Sequence, residues 1–227
     1  QFKRLRPQIC LVKKSLVKDV LGLGVNFFII NIAVLVLFQT MNILIANVAG
    51  AEAVTEYNVV YKYLSLPLMI SSLLTAPFWS AYTDAYAVRD YNWMKASYNK
   101  ISKIFYLVAI ILAVMVCVYP IVFEIWLGDK VEIHLSMVVV VTVYVLIMVV
   151  NQVNANIVNG IGTLRLQLLL SLLSTIGNIP LSLFLGRIYG AVGVVLSVAF
   201  FNLLPAIILR IQAIKLVNNT AKGIWLK

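Results

Sequence analysis

The sequence predicts an all-α integral membrane protein, a bundle of six transmembrane helices. Of its 227 residues 63% are hydrophobic and 11% charged, with a mean hydropathy of +1.00. A soluble domain is about half apolar and about a quarter charged. The apolar residues fall in six runs, each near the ~20 residues that a helix needs to cross a bilayer. Charge alternates between the connections that separate the runs. A transmembrane β-barrel would need strands of about ten residues with alternating polarity, and these runs are far longer and do not alternate.

The chain opens with a basic flank. Within "QICLVKKSLVKDV", Ile9, Val12, Leu16 and Val20 share one helical face while Lys14 and Lys18 lie on another. That pattern predicts an in-plane amphipathic segment over residues 1–21 on the cytoplasmic leaflet. The six spans are then expected at 22–48, 57–82, 101–122, 135–156, 166–185 and 191–213. Pro67 and Pro77 fall in the second, Pro180 in the fifth and Pro205 in the sixth, where neighbouring helices can satisfy the backbone that proline leaves open. Trp79, Trp93 and Trp126 are expected in the interfacial aromatic belt. Residues 214–227 form a cytoplasmic tail, in which Trp225 could anchor a second in-plane segment.

Charge sets the orientation. Fifteen of the eighteen Lys and Arg fall on the N-terminal flank, the connections after the second and fourth spans, and the tail. Only Lys62, Lys130 and Arg187 fall on the other side, which instead carries Glu52, Glu56, Glu124, Asp129 and Glu132. The positive-inside rule then puts both termini in the cytoplasm, and six spans return the chain to its starting side. The net charge of +10 is spread over loops that flank the membrane. This suits anionic lipid headgroups as partners and argues against nucleic acid.

Polar side chains inside hydrocarbon face protein or water. The stretch "VVNQVNANIVNG" ends the fourth span with Asn151, Gln152, Asn154, Asn156 and Asn159. At 100° per residue Gln152, Asn156 and Asn159 share a face, which Asn151 and Asn154 widen. The first span carries Asn31, Gln39 and Asn42 in one stripe, and the second begins with Tyr57, Tyr61 and Lys62. Gln167, Ser171, Ser174, Asn178 and Asn202 add polarity to the last two spans. Such groups can simply join helices, at about 0.6 kcal/mol per bond. Their number points further, to an interior of amides rimmed by aromatic rings. Amides donate and accept as sugar hydroxyls do, and Tyr rings can cover a sugar's apolar faces. A proton relay fits poorly, because no carboxylate lies in the middle of a span.

No enzyme is indicated. GxxxxGK[ST], HExxH and GxSxG are all missing, and no loop is long enough for a soluble catalytic domain. Cys10 and Cys117 form neither a CxxC nor a metal spacing and read as buried or inert thiols. His134, the single histidine, cannot build a metal site alone. No cofactor is expected.

The stretches "FQTMNILIANVAGAEAVTEYNVVYKYLSL", "PFWSAYTDAYAVRDYNWMKASYNK" and "NGIGTLRLQLLLSLLSTIGNIPLSLFLGRIYGAVGV" resemble, in that order, the polysaccharide-biosynthesis flippases of the multidrug/oligosaccharidyl-lipid/polysaccharide exporter superfamily. The resemblance implies twelve helices in two six-helix lobes around a central cavity. This chain would be the C-terminal lobe, beginning in the cytoplasmic link, with an N-terminal six-helix lobe as its partner. It also implies a cargo, a lipid-linked oligosaccharide on polyisoprenyl pyrophosphate, flipped across the bacterial inner membrane by alternating access for surface polysaccharide such as O-antigen. Lys62, within "YNVVYKY", matches the family pattern, and Lys62 or Arg165 could meet the pyrophosphate. Met41 departs from it, standing where relatives carry an acidic residue, which disfavours cation coupling through this lobe. The competing readings are a small-molecule or drug exporter of the same superfamily, which would want acidic residues in the spans, and a membrane polysaccharide polymerase, which would want a large external loop.

Overall fold

In the computed structural model, which describes residues 14–128 and 131–226, the chain is helical throughout and, among the described residues, without strands. Helix α1 covers Lys14–Leu64, α2 Leu66–Ala87, α3 Tyr91–Ile101, α4 Ile104–Leu127, α5 Leu135–Ile161 and α6 Arg165–Val217, and a 3-10 turn at Gly223–Leu226 follows. Four stretches, Gly24–Leu64, Tyr91–Leu127, Leu135–Ile161 and Arg165–Val217, are long and apolar enough to cross a membrane. The all-helical, membrane-spanning class expected from hydropathy is therefore observed.

Two of those stretches are folded back on themselves. Gly50 in α1 has φ 87° and ψ 177°, and Gly190 in α6 has φ 62° and ψ −143°. Both conformations are open to glycine and strained for residues with a Cβ. The arms on either side of Gly50 run alongside each other, because Asn58 Nδ2 donates to Asn42 Oδ1 at 3.0 Å across sixteen residues. A straight helix would separate those residues by about 24 Å. The arms around Gly190 are joined likewise: Ser197 Oγ donates to Asn178 Oδ1 at 2.9 Å and Ser174 Oγ to the Phe201 carbonyl at 3.0 Å.

The helices outrun the apolar runs that predict them. The backbone is helical from Lys14, with no break at residue 22 where the in-plane segment was expected to end. Residues 1–13, and with them Ile9, Val12 and Cys10, lie outside the described residues. After Leu64 the helix resumes within two residues in α2, where Pro67 sits in the first turn and its missing N–H leaves no gap in the hydrogen-bond ladder. Asp90 caps α3 by accepting from the Trp93 N–H at 3.0 Å.

A dense core is built from Met41, Ile45, Tyr57, Val60, Val141, Val145, Val194 and Val198, all fully or almost fully buried. On α4 the residues Leu107, Ile110, Val114, Val118, Ile121 and Ile125 remain exposed. Their three- and four-residue spacing makes one apolar stripe, as a lipid-facing helix requires. Cys117 lies on this helix and is exposed, not buried as expected. Its neighbours on the exposed face are apolar, so bilayer contact rather than burial in protein accounts for a cysteine in this run.

The connections cluster at two ends according to charge. At one end Glu56 accepts from the His134 backbone N–H at 2.8 Å, and Glu132 lies 3.6 Å from the same imidazole. At the other, Thr83 Oγ1 donates to the Gly160 carbonyl at 2.7 Å, and Gln212 Nε2 reaches both the Thr163 and the Trp225 carbonyls at 3.2 Å. Lys215 stands over the Trp225 ring at 4.1 Å. The tail thus docks on the end of α6.

Candidate functional site

A cavity of about 680 Å³ lies between both arms of α1, α5 and both arms of α6. Ligand cavities commonly span about 300–1,000 Å³. Of the residues proposed from sequence, Asn31, Gln39, Tyr61, Asn151 and Gln152 line it. Gln167, Ser171, Ser174, Asn202 and Tyr144 complete the polar wall. Among the described residues none of the lining side chains is a carboxylate or a cation.

Pro205 organises one wall. A proline at this position cannot donate to the carbonyl four residues before it, that of Phe201. Ser174 from the other arm supplies the missing donor at 3.0 Å, and Asn151 Nδ2 donates to the neighbouring Asn202 carbonyl at 3.0 Å. Thr175 Oγ1 reaches the Ala33 carbonyl at 3.2 Å and ties α6 to α1. Three carboxamide oxygens remain buried without a partner at this wall: Asn151 Oδ1, Gln152 Oε1 and Gln167 Oε1. A buried acceptor without a donor is strongly disfavoured, so these oxygens are suited to take hydrogen bonds from water or a hydroxylated ligand. At one side the rings of Phe38, Tyr61 and Tyr144 follow one another with centroids 5.5 and 6.2 Å apart.

The remaining residues proposed from sequence do not line this cavity. Asn42 is engaged by Asn58 in the α1 hairpin. Tyr57 is fully buried behind Tyr61, with ring centroids 5.8 Å apart, and its hydroxyl has no partner. Asn154 accepts from the Tyr98 hydroxyl at 3.1 Å and donates to the Val150 carbonyl at 2.7 Å, a clasp between α3 and α5. Asn156 and Asn159 are half-buried further along α5, and the Oδ1 of Asn159 is unpartnered. Lys62 is exposed near the end of α1, and Arg165 is exposed as the first residue of α6.

Besides Tyr144, Thr175 and Asn202, the polar lining residues absent from the sequence-derived site are Gln167, Ser171 and Ser174. Their i, i+4, i+7 spacing puts them on one helical face, a signal as plain as the one on α5.

No protein-family profile matches the chain, and no curated protein matches it. A solved structure does. The crystal structure of a MATE mutant superposes with a TM-score of 0.76 at 16% sequence identity, over 96% of this chain and 51% of that one. The chain has the fold of about half of that protein and spans about half its length.

Proposed function

We propose that this chain is one lobe of a two-lobe exporter of the multidrug/oligosaccharidyl-lipid/polysaccharide superfamily. Counting the arms around Gly50 and Gly190 separately, and taking α1's second arm with α2 and α3 with α4, the chain crosses the membrane six times with both termini in the cytoplasm. The membrane is the bacterial inner membrane. The cargo is a polyisoprenyl-pyrophosphate-linked oligosaccharide, carried outward as the two lobes rock.

The observation that carries this reading is the uncharged cavity with three unpartnered carboxamide oxygens. A neutral glycan brings many hydroxyl donors, and the half-buried Tyr61 offers it a ring face. The polyisoprenyl tail stays in the bilayer between lobes. Lys62, exposed and outside the cavity, is placed to meet the pyrophosphate or the other lobe. An inside-negative potential favours outward movement of that anion by roughly 2.3 kcal/mol per charge per 100 mV. A small-molecule exporter of the same superfamily shares the fold, but a cationic drug would find no carboxylate in this cavity.

The test is flipping of a fluorescent lipid-linked oligosaccharide by the full-length protein in proteoliposomes. Replacing Asn151, Gln152 and Gln167 together by Leu should lower the rate at least tenfold in a protein that still inserts and folds. An undiminished rate would remove the cavity from the transport path.

A further inference from the structure

Two adjoining hollows open at the cation-rich end, between α3, α4, α5 and the end of α6. The outer one encloses about 660 Å³ and presents Lys95, Lys103, Arg210, Asn99 and Asn218. The inner one encloses about 110 Å³ against Val149, Val150, Val153 and Phe105 of α5 and α4. Tyr98, Ser102, Tyr106 and Arg210 line both. Together they form one slot, basic at its outer end and, at its inner end, lined by Asn154 and Arg210 beside the valines.

The slot is a consequence of the break between α3 and α4. Helix α3 ends at Ile101 and α4 starts at Ile104, so Ser102 and Lys103 stand at the joint. The Arg210 guanidinium lies beside the Tyr98 hydroxyl, and that hydroxyl is held by the buried Asn154 at 3.1 Å. The slot's wall is thereby fixed. Among the described residues three cations face it and no carboxylate does, so none of them supplies a counter-ion in the slot. Asp90, at the other end of α3, accepts from the Trp93 N–H and caps that helix.

We propose that this slot is a binding site for the phosphate headgroup of an anionic phospholipid. The guanidinium of Arg210 can take two phosphate oxygens at once, with the lysines adding point charge. The acyl chains would stay in the bilayer alongside α4, where Tyr106 is exposed. Basic hollows between helices at the headgroup level suit this chemistry. The inference rests on the membrane placement given above and is independent of the cargo. It also has a mechanical consequence. Arg210 directly follows Leu209, which lines the central cavity, so a lipid held here braces the cavity-bearing arm of α6 against α3 and α4.

The test uses the full-length protein, delipidated in detergent and titrated with phosphatidylglycerol, phosphatidylcholine or inorganic phosphate, with bound species read by native mass spectrometry. One phosphatidylglycerol should be retained where phosphatidylcholine is not. Arg210→Gln should weaken that retention at least tenfold, and the pair Lys95→Gln with Lys103→Gln should do the same should the arginine variant not fold. Lys222→Gln, a cation at the same end outside the slot, should leave it unchanged. Equal retention of phosphatidylcholine, or no loss in either variant, overturns the proposal. So does inorganic phosphate binding as tightly as the lipid, or a polyisoprenyl diphosphate preferred tenfold over phosphatidylglycerol, since the slot would then serve a free anion or the cargo.

Discussion

Asn154→Leu should lower stability and Gln152→Leu should not, although the residues are two apart on one helix and chemically alike. Asn154 is 3% exposed and makes two hydrogen bonds, from Tyr98 and to Val150. Interhelical bonds in membranes are worth about 0.6 kcal/mol on average and up to about 1.7. Losing both, and stranding the Tyr98 hydroxyl, should destabilise by about 1–3 kcal/mol. Gln152 presents a buried Oε1 with no partner. Leucine there removes a disfavoured acceptor if the wall is dry, a gain of about 1–3 kcal/mol, and changes stability by about 0 if water already satisfies it. Reversible unfolding of the full-length protein in mixed micelles, titrated with a denaturing detergent, separates the two. Flipping should fall at least tenfold in Gln152→Leu despite unimpaired stability. A loss of stability in Gln152→Leu equal to that in Asn154→Leu would show that both amides merely join helices, and the argument from unpartnered oxygens would fail.

Gly160→Ala should destabilise by about 1–3 kcal/mol, because a Cβ there would stand 2.6 Å from the Trp79 carbonyl oxygen and 3.1 Å from Tyr82 Cβ; thermal unfolding in detergent measures it. Ser174→Ala leaves the Phe201 carbonyl without its donor and should cost about 0.6–1.7 kcal/mol, read by the same titration. Lys62→Ala should lose export while insertion and melting temperature stay unchanged, since the side chain is exposed and makes no salt bridge among the described residues; normal export would exclude Lys62 from the mechanism.

The fold was legible because the bilayer imposes it. Backbone groups in hydrocarbon must be satisfied within the segment, so an apolar run of about 20 residues reads as a helix whatever its neighbours do. The reversals at Gly50 and Gly190 fall in the gaps expected between runs, at 49–56 and 186–190, and both are glycines. The ends of the helices were not legible, because α3 and the last turns of α5 and α6 are polar enough to look like loops. The site was legible in part. Periodicity gives the relative angle of Gln152, Asn156 and Asn159 about α5 but not which neighbour that face meets, nor how far along the helix a cavity extends. Hence Gln152 lines the cavity, while Asn156 and Asn159, one and two turns on, lie past its lining. Asn154 meets Tyr98 because α3 packs there, and Asn42 meets Asn58 because the chain reverses at Gly50. Those are tertiary facts with no local signature.

The break at Pro205 and the polarity of the cavity have one cause. A carbonyl freed at membrane depth needs a donor from a neighbouring segment, and here Ser174 and Asn151 supply donors to the consecutive carbonyls of Phe201 and Asn202. Both donors lie on the cavity wall. The groups that repair the helix are therefore the groups that a ligand would meet. A hydroxylated cargo can exchange with them bond for bond, because sugar hydroxyls can donate to the same carbonyls and to the unpartnered Gln152 and Gln167 oxygens. Rearrangement of the α6 arm around Pro205 then need not leave a buried carbonyl bare while cargo is present, whereas in an empty, dry cavity it would. On the proposed function, movement of the arm would then depend on a polar occupant, which is the coupling that an exporter requires.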